Sequence, residues 1–144
     1  MKTFKIIPAL AIAASLSTAL PLPSYAGAGE GTKQDDHAEP SLLGTVTVKA
    51  YEFTVRQEGK VEAGKEATFG LVLKKEDGAA DPTAVRTWVG KEDGKGSVKA
   101  KTHTHGKAME AHVDVPDPIP AGSKLWIEVE VGGEKFKGSL AFKS

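Results

Sequence analysis

From Leu42 onward the chain alternates apolar and polar residues with a period of two. Val46 and Val48 are interleaved with Thr45, Thr47 and Lys49, and Tyr51, Phe53 and Val55 follow in the opposite phase. Four further runs keep one apolar face each: Ala67–Leu73, Val98–Thr102, Met109–Val115 and Leu125–Val131. Successive side chains of a strand leave opposite faces, so this period is the mark of half-buried strands. Ala84–Val89 and Phe136–Phe142 add two shorter apolar segments. Turn signals fall between them, at residues 59–64, 76–78, 92–96, 116–122 and at Gly132-Gly133. The pattern predicts an all-β, immunoglobulin-like antiparallel β-sandwich of about seven to eight strands, with no helix. The phase flip after Ala50 suggests a bulge or a strand that changes sheets. Trp88 is the expected central core aromatic. Trp126 faces away from Leu125 and Ile127, which places it at the sandwich edge or in a partner surface.

The first 41 residues do not share this pattern. Lys2 and Lys5 precede an apolar stretch from Ile6 to Leu22, and Ser24-Tyr25-Ala26 offers small residues at a cleavage position. This three-part order predicts a secretory signal peptide over residues 1–26, with Ala28 as a second cleavage position. The stretch is short for a membrane span and contains Ser, Thr and Pro. Residues 27–41 lack apolar periodicity and are expected to form a flexible polar tail. The β-sandwich domain then occupies residues 42–144. Export in an unfolded state leads to a periplasmic or extracellular product with no membrane insertion once the signal is removed, and any metal is acquired after export.

Charge and cysteine content narrow the field. The 144-residue chain balances 19 Lys+Arg against 19 Asp+Glu. Both signal-region lysines leave on cleavage, so the remainder is mildly acidic, which argues against nucleic acid as a partner. The absence of cysteine excludes disulfides, thiolate metal sites, a Cys nucleophile and a lipoprotein anchor. Any metal site is confined to imidazole and carboxylate ligands. The sandwich core must also hold without covalent staples.

The candidate chemistry lies with the histidines. His103-Thr104-His105-Gly106 sits where one predicted strand ends and the next begins. A two-residue turn at His105-Gly106 would pair Thr104 with Lys107 and His103 with Ala108. That register gathers Val98, Ala100, Thr102, Met109, Ala111 and Val113 on the inner face. It sets Lys99, Lys101, His103, Glu110 and His112 outside. His103 and His105 then share one side, roughly 6.5 Å apart along the strand. Imidazoles at that spacing can bend toward one Cu(II), Ni(II) or Zn(II) ion, with His37 or the neighbouring Asp35 and Asp36 swinging in from the tail. His112 falls opposite Lys99, roughly 13 Å from His103, too far to share the ion.

The run Val61–Phe69 looks like the second strand of many bacterial immunoglobulin-like modules. The stretch from Gly106 to Val131, with Pro120-Ala121-Gly122 ahead of a Leu/Val-rich strand, resembles their back half. Over residues 44–143 the outline is similar to small exported domains of the YtkA-like kind. That resemblance implies a sandwich fold and an association with metal or copper handling. Such families often display Met- and His-rich clusters, whereas this chain past residue 26 has one methionine, Met109, and four histidines.

No catalytic constellation accompanies these features. Ser123 and Ser139 lack a nucleophile-elbow context, and there is neither a His-Glu-x-x-His run nor a phosphate-cradling glycine loop. The expected function is therefore that of a periplasmic, non-enzymatic immunoglobulin-like accessory protein. It would bind an envelope protein partner through a sheet edge or through Trp126. Transition-metal binding at the His103-Thr104-His105 tip is the alternative.

Overall fold

A computed structural model of the chain describes residues 39–144. The expected signal peptide, most of the polar tail and His37 lie outside these residues. Nine strands are present among them: β1 Ser41–Val48, β2 Tyr51–Glu58, β3 Glu66–Lys75, β4 Ala84–Gly90, β5 Ala100–Lys101, β6 His103–His105, β7 Ala108–Asp114, β8 Lys124–Val131 and β9 Glu134–Leu140. They form two antiparallel sheets, ordered β1-β2-β3-β7-β6 and β5-β4-β8-β9. With β1 set aside, these orders follow the ABED and C′CFG arrangement of immunoglobulin-like sandwiches.

The alternating runs face inward as their period requires. Tyr51, Phe53, Val55, Phe69, Leu71, Ala111 and Val113 of the first sheet meet Val85, Val89, Leu125, Ile127 and Val129 of the second. The phase flip at Ala50 is neither a bulge nor a sheet change. Val48 pairs with Tyr51 across a two-residue hairpin at Lys49-Ala50. In such a hairpin the residues flanking the turn share a face, so an even-numbered apolar set hands over to an odd-numbered one. The bulge of this ladder lies earlier, between Leu42 and Gly44.

The segment read as one strand from Val98 to His103 is two. β5 pairs with β4 in one sheet, and β6 pairs with β7 in the other. The crossing is made at Thr102, whose N–H and hydroxyl both donate to the Val85 carbonyl at 3.2 Å. As a result Val98 is 57% exposed rather than inward-facing. Lys99, expected in the outer row beside the histidines, lies just before β5 and reaches Glu128 of the other sheet instead.

At the opposite seam β1 closes on β9. A Cβ at Gly138 would come within 2.7 Å of a Val48 methyl and 2.8 Å of a Val46 methyl. Only glycine permits that approach. The chain end is held by Gln57, which is fully buried on β2. Its Nε2 donates to the carbonyls of Gly59 (2.8 Å) and Lys143 (2.6 Å), and its Oε1 accepts from the Lys143 N–H at 2.9 Å. A side-chain amide thus substitutes for a strand partner.

Candidate functional site

Two regions carry the polar and aromatic chemistry, one on the outer face of each sheet.

Trp88 and Trp126 face each other across β4 and β8. Their rings stack with centroids 6.2 Å apart and planes 14° from parallel. Trp88 is fully buried, but not in the central core. It lies on the outer face of its sheet, covered by the loop after β4, and its indole N–H donates to the Lys91 carbonyl at 2.7 Å. Gly94 in that loop has φ +70°, and a Cβ there would stand 2.9 Å from Lys99 Cε and 3.6 Å from the Trp88 indole nitrogen. Lys99 rests over the Trp88 ring at 4.4 Å and places its Nζ 2.8 Å from Glu128 Oε2. Glu128 is only 2% exposed, with Arg86 3.8 Å from its other oxygen. Burial of a lone carboxylate is costly, and here Lys99 supplies the compensating charge. Trp126 is half-buried and donates its N–H to the Gly90 carbonyl at 3.1 Å. β8 is an interior strand of its sheet, so Trp126 is not at the sandwich edge that its sequence phase suggested.

The histidines lie at the other sheet's free edge. The β6–β7 turn is Gly106-Lys107, with Gly106 at φ +68°. His105 pairs with Ala108, Thr104 with Met109 and His103 with Glu110. The pairing therefore differs by two residues from the one expected. A slip of two preserves every inward and outward assignment of this hairpin but moves the cross-strand neighbours. His103 and His105 are both exposed on the outermost strand. His112, assigned a position opposite Lys99 and far from His103, is in fact beside it: the ring centroids are 6.5 Å apart in an edge-on arrangement.

His112 sits between two carboxylates. Its Nδ1 is 3.0 Å from Glu66 Oε1 on β3, and its Nε2 is 2.7 Å from Glu110 Oε1 on its own strand. Thr68 Oγ1 stands 3.4 Å from Nδ1. Both nitrogens can donate only when the ring is protonated. The hydrogen bond to Glu66 raises the His112 pKa above its ordinary value, partly opposed by desolvation and reinforced by the charge of Glu66 and by Glu110. Neither Glu66 nor His112 stood out in the sequence as part of a site with His103, because β3 is remote along the chain and the shared turn was misplaced. Glycine at the first turn position, as type II′ hairpins require, was the one signal that favoured Gly106-Lys107.

As they stand, no three His, Asp or Glu side chains among the described residues converge on a point where a metal ion could be held. A depression of about 790 Å³ opens beside the β6–β7 turn and is lined by Val72, Leu73, Ala79, Lys107 and Met109 among others. Its lining contains no histidine, hydroxyl or thiol. Comparison with family models, curated proteins and solved structures gave no match.

Proposed function

We propose that the chain is a non-catalytic binding module of the cell envelope, docking a protein partner on the outer face of the β5-β4-β8-β9 sheet with Trp126 as its anchor. The supporting observation is the rigidity of that indole. Its ring is stacked on a fully buried Trp88 and its N–H is fixed on Gly90, so presenting its open side costs little further side-chain entropy. Preordered tryptophans are the residue type that most often carries interface energy. Ser139, directly across from Trp126 on β9, is too small to cover it. The signal-like order of residues 1–26 supports export to the compartment where such a partner would be met.

The test is a pull-down from envelope extract with wild type, Trp126→Ala and Trp126→Phe, each shown by circular dichroism to be folded. A protein retained by wild type and by Trp126→Phe, but lost with Trp126→Ala, supports the reading. Equal retention by all three, or none by any, contradicts it.

A further inference from the structure

We propose that His103, Glu110 and His112 form a site for one divalent transition-metal ion of the zinc, copper or nickel class, with Glu66 as the outer carboxylate that orients His112. The ligands come from the free edge of the five-stranded sheet, and their relation is fixed by strand pairing. His103 is registered directly opposite Glu110 on β7, and Thr68 of β3 opposite His112. Metal-binding imidazoles typically give their second N–H to a carboxylate, which sets the tautomer and ring orientation. Glu66 is already in that position, 3.0 Å from Nδ1, and it leaves Nε2 as the ligating nitrogen.

The remaining distances ask for small movements. His112 Nε2 and Glu110 Oε1 are 2.7 Å apart. Ligand bonds of about 2.1 Å in tetrahedral geometry would separate them to about 3.4 Å, an opening of roughly 0.7 Å. Two imidazoles sharing one ion have ring centroids about 5 to 6 Å apart, against 6.5 Å here. His112 and Glu110 are about half exposed and His103 is exposed, so side-chain rotation alone can make both adjustments. The ion replaces the Nε2 proton, so two positive charges take the place of one and match the two negative charges of Glu66 and Glu110. Lys99, which the expected register had set on this face, is instead bound to Glu128 on the other sheet. The fourth coordination position faces solvent. His105 and His37 are not required, which separates this site from the pair expected from sequence spacing. The site would stand whether or not Trp126 docks a partner.

The experiment is calorimetric titration of the full chain with zinc chloride, then with copper(II), alongside His103→Ala, His112→Ala, His105→Ala, His37→Ala and Glu66→Gln. Loss of at least about tenfold in affinity is expected for the His103 and His112 variants, and about tenfold for Glu66→Gln through loss of ring orientation. His105→Ala and His37→Ala are expected to bind as wild type does. Nitrogen-15 spectra of the histidine rings give a second readout that needs no substitution. His103 and the Nε2 of His112 should shift at one equivalent of zinc while His105 does not. Wild-type binding no tighter than that of a His103→Ala/His112→Ala double variant overturns the site. So does an effect of His105→Ala as large as that of His112→Ala, or a zinc-induced shift confined to His103 and His105.

Discussion

Replacing Gln57 with alanine should cost far more than an average polar substitution, because its amide does the work of a missing strand. The side chain is fully buried and every polar atom has a partner: two carbonyls for Nε2 and one N–H for Oε1. Alanine leaves the Lys143 N–H and the Gly59 carbonyl without these bonds. The Lys143 carbonyl keeps one donor, the Val61 N–H at 3.2 Å. Both backbone groups belong to exposed residues, so each lost bond costs about 0.5–1.5 kcal/mol, and the partly unfilled volume around the buried side chain brings the loss to about 2–4 kcal/mol. At about 4–8 °C per kcal/mol for a domain near this size, the melting temperature should fall by at least about 8 °C. Urea and thermal unfolding followed by circular dichroism measure the loss. Hydrogen exchange should show the Lys143 and Val61 amides losing protection first. Gln57→Leu separates the causes, since it keeps most of the volume and removes the bonds, and it should lose nearly as much as alanine. A loss below about 1 kcal/mol for alanine, or a leucine variant close to wild type, would refute the reasoning.

Three more outcomes follow from the buried and paired groups. Lys99→Met should destabilise the protein by about 3 kcal/mol, because Glu128 stays buried with only Arg86 near it, and Glu128→Gln in the same chain should recover part of that loss; additive effects in urea unfolding would contradict the pairing. Thr87 is fully buried with its hydroxyl unpartnered, so Thr87→Val should stabilise by about 1 kcal/mol; a lower urea midpoint would count against it. The His112 pKa is raised in the folded protein by Glu66 first, with Glu110 adding to it. Its contribution to stability should therefore be complete below the ordinary value of 6.5 and disappear as pH rises through the elevated folded value. The gap in urea midpoint between wild type and His112→Ala should then be larger at about pH 6 than at about pH 9, and a gap independent of pH would exclude this role.

Period-two alternation made the strands and their buried faces legible, from Phe53 and Phe69 to Ile127. It works because hydrophobic burial selects every second side chain. The same period conceals shifts of two residues, which is why the β6–β7 pairing could be displaced without exposing one apolar side chain of β7 or burying one charge on it. The pairing of His103 with Glu110 rather than Ala108 is invisible to hydrophobicity and is decided by turn chemistry at Gly106. The hairpin at Lys49-Ala50 was hidden differently. Neither residue is a usual turn former, although Lys49 takes φ +56°, so its change of phase resembled a bulge. Trp88 shows the limit of burial arguments. It is as buried as predicted, but under a Gly-rich loop on the outer face, and only tertiary folding of residues 91–99 reveals that second small core. Glu66 could not be joined to the histidines at all without the pairing of β3 with β7.

Everything argued about the histidine edge depends on His103 standing beside His112, and that adjacency can be measured without metal. Nuclear Overhauser contacts between assigned ring protons of the two histidines, in the metal-free protein, test it directly. Their centroids are 6.5 Å apart and edge-on, so a contact between the His103 and His112 rings is expected, together with a cross-strand contact from His103 to Glu110. No ring contact, with His103 found against Ala108 instead, would restore the shifted register and contradict the account.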